Sequence, residues 1–243
     1  MSDPTLPSTL EERVAAIRER IAAAAKRAGR GDGEVTLIAV SKTHTAEAIR
    51  AAFALGVTHF GENRVQEWEG KRAAIEDLAG HWHLIGHLQS NKAAKAARFF
   101  QSVDSVDDFA LAQHLDRARG EMDDADKLRV LIEVRIAPED TKSGVEQSAL
   151  PQLAEQISTL NHLDLQGLMC IPPFLEDPEK VRPYFRELHG LKESLQASLG
   201  KKLPVLSMGM SHDFAVAIEE GATEVRIGTA LFGTRAVSPH PIA

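Results

Sequence analysis

A closed (β/α)₈ barrel is the fold class this sequence predicts, and three observations carry the prediction. Eight short apolar runs recur along 243 residues. Segments of helical period separate them, which is the alternation that builds parallel sheets. No GxGxxG turn follows the first run, as a doubly wound nucleotide-binding sheet would have it. An open doubly wound sheet is the rival architecture. The count of eight favours closure.

The elements follow in order. Residues 1–7 read as a disordered lead and 8–243 as one barrel domain. Ser8 reads as an N-cap with Glu11 three positions on, the pattern of a capping box. The helix it opens runs to Gly29 and stands outside the barrel repeat, as an extra N-terminal helix. The strand runs are then 35–41, 58–63, 81–86, 99–105, 128–136, 165–171, 203–210 and 223–233. The helical segments between them are 45–55, 62–79, 90–98, 107–119, 148–160, 178–199 and 212–221, the last closed by Gly221 as a C-cap. Two loops stand out. GEMDDAD (120–126) is acidic and solvated. PEDTKSG (138–144) follows a strand directly, which puts it at the C-terminal mouth where barrels build their sites.

Composition narrows the function classes. The net charge is −7 and no Lys/Arg block occurs, which argues against a nucleic-acid partner. The single cysteine, Cys170, forms no internal disulfide, suits a reducing cytoplasm and leaves no cysteine cluster for zinc. Its apolar surroundings, LQGLMCI, predict a buried, inert thiol. The first residues, MSDPTLPSTLEER, are polar and acidic, unlike a signal peptide, and no run of 18 apolar residues spans a membrane.

In a barrel, all strand C-termini face one rim. Here those ends carry SKTH (41–44), GENR (61–64), IGHLQSNK (85–92), KSG (142–144), CIPP (170–173), SMGMSHD (207–213) and RIGT (226–229). Any one of these is explained by the turn chemistry of Gly and Asn. Seven on one rim point to a site. In SMGMSHD, Ser211 reads as the N-cap of the next helix, with Asp213 in its first turn. Gly228 and Thr229 open a possible short helix, ALFG. Both segments follow the last two strands, where barrels place a recurrent phosphate site.

Arg226 alternates with Val225 and Ile227, so it points into the barrel together with Glu224. A buried guanidinium needs a partner. A core carboxylate, Glu224 or Glu133, would serve, and so would an acceptor on a ligand. Asn63 either caps the following helix or contacts a ligand. His81, His83 and His87 bracket the third strand, but no carboxylate completes a metal set locally, and no metal is expected. GxSxG and Walker motifs are absent.

Lys42 ends the first strand, in TLIAVSKTHT. Alone it reads as a solvated amine. Opposite a phosphate cradle it reads as a nucleophile, because a desolvated amine near cations titrates low. An amine at one end and an anion site at the other is what pyridoxal 5′-phosphate (PLP) requires. Arg226 facing the ring nitrogen would keep that nitrogen unprotonated.

The motifs IAVSKTHT (38–45), FGENRVQE (60–67), WHLIGHLQSNK (82–92), KSGV (142–145), GLMCIPP (167–173) and SMGMSHDFAVAIEEGATEVRIGTALFG (207–233) span most of the chain. In these it resembles the YggS/PROSC family, the pyridoxal phosphate homeostasis proteins. The resemblance implies a fold-type III barrel like that of alanine racemase, without that enzyme's C-terminal β-domain. It implies PLP as an aldimine on Lys42, phosphate contacts from Ser207–Ser211 and from Gly228 and Thr229, Arg226 near the ring nitrogen, and Asn63 and Met210 along the cofactor. His87 stands where many bacterial members carry Pro, and no function attaches to the difference.

The implied role is binding and delivery of PLP in vitamin B6 homeostasis, by a cytoplasmic monomer, with apo PLP-dependent enzymes as possible recipients and no defined turnover. The alternative is a PLP-dependent amino-acid racemase. That needs a second acid/base opposite Lys42. The one tyrosine, Tyr184, lies in a helical stretch and is expected to be a helix-surface or packing residue. Lys142 or a rim histidine could stand in. A phosphosugar-type barrel with a Schiff-base lysine and no cofactor is the third reading.

Overall fold

The structure, a computed structural model, describes residues 9–31, 33–122, 126–137 and 143–233. The expected disordered lead, Ser8 and Lys142 lie outside the described residues. Helix α1 (Leu10–Arg27) comes first. Strands and helices then alternate: β1 (Thr36–Val40), α2 (Ala46–Ala54), β2 (His59–Glu62), α3 (Val65–Arg72), β3 (His81–Leu84), α4 (Ala93–Phe99), β4 (Ser102–Val106) and α5 (Phe109–Gly120). The second half continues with β5 (Leu128–Glu133), α6 (Leu150–Ser158), β6 (Leu163–Met169), α7 (Arg182–Leu199), β7 (Val205–Met210), α8 (Phe214–Glu219), β8 (Glu224–Ile227) and α9 (Thr229–Phe232). The eight strands pair in parallel in chain order, and β8 pairs back with β1 to close the barrel. The fold class and the extra N-terminal helix are as the sequence predicts.

The capping box sits one residue later than expected. Thr9 accepts from the Glu12 N–H at 3.1 Å, and the Glu12 carboxylate accepts from the Thr9 N–H at 3.0 Å. Two cap formers precede two glutamates here, so the sequence offers two registers. Val14, Ile17, Ala24 and Ala25 bury one stripe of α1. The Arg13 Nε reaches the Leu231 carbonyl of α9 at 2.7 Å.

Strand alternation divides the residues between two layers. Leu37, Ala39, Val225 and Ile227 pack outward under the helices. The inward residues of the N-terminal half are polar. His83 Nδ1 lies 3.1 Å from Asp104 Oδ2, and His59 Nδ1 lies 2.9 Å from His83 Nε2. Arg129 on β5 donates to Glu224 on β8 at 2.6 Å. Those strands are not neighbours, so this bond crosses the barrel interior. Sequence reasoning found no carboxylate near the histidines because Asp104 and Glu224 come from other strands. His83, Asp104 and Glu224 do bring ligand-type atoms within 4.8 Å of one another. Both His83 nitrogens are already engaged and the Arg129 guanidinium holds Glu224 Oε1, so the cluster reads as a hydrogen-bonded floor.

Close packing at β6 demands glycine. A Cβ on Gly167 would come within 1.9 Å of the Val205 carbonyl oxygen. Gly167→Ala should destabilise the barrel by about 3 kcal/mol, read from the urea midpoint; an unchanged midpoint would show that β7 yields freely.

The floor also predicts acid sensitivity. Burial, and then the charges of His83 and His81, push the His59 pKa from 6.5 to about 4. The unfolded chain therefore takes up this proton first as pH falls through that interval, and stability drops there. His59→Gln should flatten that part of the stability–pH curve. A wild-type curve already flat across the interval would refute the assignment.

Candidate functional site

The strand ends converge on a cavity of about 440 Å³ at the C-terminal mouth. Lys42, Asn63, Met210, Ser211, Arg226, Gly228 and Thr229 all line it. Ser207 does not. It is fully buried, and its hydroxyl accepts from Arg226 Nη1 at 2.8 Å.

Lys42 follows β1 by two residues and keeps the inward phase of Ile38 and Val40. Two strands round the barrel from β1, Gly209 near the end of β7 has φ +92°. A side chain there would meet Ala217 Cβ at 2.6 Å and Phe214 Cα at 2.9 Å. Glycine therefore lets the helix pack tightly onto the strand end.

Ser211 is not the N-cap of α8. The helix begins at Phe214 with Asp213 in the cap position, and the Asp213 carboxylate turns back to accept from the Met210 N–H at 2.6 Å. Ser211 Oγ instead accepts from the Ala230 N–H at 3.3 Å, which ties the β7–α8 turn to the start of α9. The two segments expected to share a phosphate are thus joined to each other.

Arg226 is 3% exposed. Besides Ser207, it donates through Nη2 to the Cys170 carbonyl at 2.7 Å. The carboxylate partners considered from sequence are otherwise engaged: Glu224 by Arg129, and Glu133 by the Ser143 hydroxyl at 2.8 Å. Among the described residues, no carboxylate pairs with Arg226. Alternation predicted its direction but could not choose its neighbour. Cys170 is buried, and burial pushes its thiol up to about 12, so it is inert as expected.

Two acids line the cavity. Burial raises the Glu133 pKa, against the opposing pull of Ser143 and Arg226. Burial likewise raises Asp213, against its bond from Met210 and the charge of Arg226.

The cavity is also lined by Ile85, His87, Ser143 and Ile171, all within the rim motifs of the sequence, and by Phe174, which lies outside them. Phe174 is 74% exposed and packs on His212, with ring centroids 5.2 Å apart. His87 lies 3.5 Å from Asp107 at the rim. Tyr184 packs against the core from α7, away from the cavity.

The comparisons with known proteins agree with this architecture. The model of the alanine racemase N-terminal domain matches residues 13–236. A pyridoxal phosphate homeostasis protein of Aquifex aeolicus is 47% identical over 92% of this chain and 97% of its own length. One from Pseudomonas aeruginosa is 46% identical over 94% and 96%. PipY of Synechococcus elongatus PCC7942, solved with PLP bound, superposes with a TM-score of 0.82 at 40% identity, covering 93% of this chain and all of that one. A D-threonine aldolase of Filomicrobium marinum, 17% identical with a TM-score of 0.72, shares the fold. The chain belongs to the alanine racemase N-terminal domain family and, within it, groups with the pyridoxal phosphate homeostasis proteins.

Proposed function

We propose that this protein binds pyridoxal 5′-phosphate through Lys42, holds it for the cell's vitamin B6 balance and hands it on. One observation carries the reading. A primary amine, a buried guanidinium without a carboxylate partner and the start of a helix converge on one cavity of about 440 Å³. That volume suits a small cofactor. The relatives named above support it: they are named for pyridoxal phosphate homeostasis, and PipY was solved with PLP bound.

The residues present fit the group. Lys42 would take its aldehyde. Gly228 and Thr229 would offer backbone and hydroxyl donors to its phosphate, with Ser211 alongside. Asn63 and Met210 would flank the ring. Ser207 acts from behind, holding Arg226. When bound, the cofactor supplies an electrophilic carbon and an electron-withdrawing ring. Arg226 cannot surrender a proton, so a ring nitrogen facing it would remain unprotonated and the ring would withdraw electrons weakly. That suits holding more than turnover.

The form we propose is a cytoplasmic monomer that donates to apo PLP-dependent enzymes. The lone buried thiol is compatible with a reducing compartment. Among the described residues, no helix is long and apolar enough to cross a membrane.

Arg226→Ala should weaken PLP binding about tenfold in equilibrium dialysis; equal affinity would remove its role at the ring. Holo-protein mixed with an apo PLP-dependent enzyme should restore that enzyme's activity, and L-amino acids incubated with it should keep their chirality. Steady racemisation would replace the carrier reading with the racemase one.

A further inference from the structure

A lysine bonds an aldehyde only if its backbone aims the side chain. Lys42 is the second residue of a β-turn, closed by the His44 N–H donating to the Ser41 carbonyl at 3.1 Å. The third residue, Thr43, has φ +66°. Turns of this kind want Gly or Asn there. A β-branched residue in the left-handed region is strained and persists only when its surroundings enforce it. Among the described residues, Thr43 is the one non-glycine with positive φ.

Helix α3 supplies the enforcement. Lys71 Nζ donates to the Ser41 carbonyl at 2.9 Å. Glu67, one turn earlier on the same face, accepts from the Thr43 N–H. Lys71 and Glu67 also pair with each other at 2.9 Å. The Ser41 carbonyl belongs to the peptide before Lys42, and the Thr43 N–H to the peptide after it. Peptide groups are planar, so gripping both planes fixes the backbone direction at Lys42. Glu62, fully buried at the end of β2, completes the bracket. Its Oε1 accepts from Lys71 at 3.0 Å and from the Ser41 hydroxyl at 2.7 Å. Glu62, Glu67 and Lys71 do not line the cavity.

We infer that Lys71 and Glu67 are positioning residues that aim Lys42 at the cofactor aldehyde, with Glu62 anchoring Lys71. The inference rests on the reading of Lys42 as the cofactor lysine. In that linkage the lysine nitrogen bonds the aldehyde carbon, and the aldehyde oxygen leaves as water. Its yield depends on amine placement. The phosphate end, Gly228 and Thr229 beyond β8 with Ser211 alongside, lies on the other side of β1 from α3 and hydrogen-bonds to none of Glu62, Glu67 and Lys71.

Pyridoxamine 5′-phosphate isolates the two ends, since it has the ring and phosphate but no aldehyde. Affinities for it and for PLP would be measured on wild type, Lys71→Met, Glu67→Met and Lys71→Arg. Lys71→Met and Glu67→Met should each weaken PLP about tenfold and leave pyridoxamine phosphate within about twofold. Lys71→Arg should recover most of the loss, because arginine can still donate to the Ser41 carbonyl and both carboxylates. Retained pyridoxamine phosphate binding reports an intact pocket, and Glu67→Met leaves the Glu62–Lys71 pair in place should Lys71→Met fail to fold. Borohydride reduction and mass mapping of the wild type separate the two ways of failing. If Lys42 is linked and the variants keep the wild-type ratio of affinities, the bracket does not aim it. Equal weakening of both ligands overturns positioning in favour of general support. A wild type with no link at Lys42 overturns the reading of Lys42 and the bracket together.

Discussion

Pairing of β8 with β1 is the constraint on which the mouth depends. The register sets Ile38 beside Arg226. Four residues beyond Ile38 comes Lys42, and two and three beyond Arg226 come Gly228 and Thr229. The strands are parallel, so both segments emerge at the same rim. In an open sheet of the same strand order, the first and last strands would be opposite edges, and the amine and the helix start would lie far apart. Closure joins them.

The interior of the barrel carries charge at two levels, and the division matters. Arg129 takes Glu224 at the floor. Arg226, one layer up, is left with a hydroxyl and a carbonyl. Burying a guanidinium against neutral acceptors is costly. Had Glu224 paired with Arg226, the cost would have been lower and the cavity would have lost its positive lining. The strained Thr43 turn belongs to the same logic. Both are locally unfavourable features at the mouth, Arg226 lining the cavity and Thr43 next to the lining Lys42, and functional sites are where folds concentrate strain.

The fold was legible because eight apolar runs alternate with seven segments of helical period, a count that favours a closed barrel over an open doubly wound sheet. The cavity residues were legible because parallel strands send every C-terminus to one rim. What stayed hidden were choices between near-equal neighbours. Ser8 and Thr9 can both cap, and Glu11 and Glu12 can both answer. Alternation gave the face of Arg226 but not its partner across the barrel. Ser211 looked like a cap until the bond from Ala230 claimed its hydroxyl. Glu67 and Lys71 are a helix pair at spacing four, which ordinarily means a solvated surface pair. Only the three-dimensional turn at Lys42 gives that pair a task.

Borohydride reduction of the PLP-loaded protein, followed by mass mapping, tests the central claim most directly. Reduction makes a lysine–cofactor link permanent, and a single modified peptide containing Lys42 is the result expected, lost in Lys42→Ala while the variant keeps the wild-type fold by circular dichroism. Modification at another lysine, or none, would contradict the assignment of Lys42 as the residue that holds the cofactor.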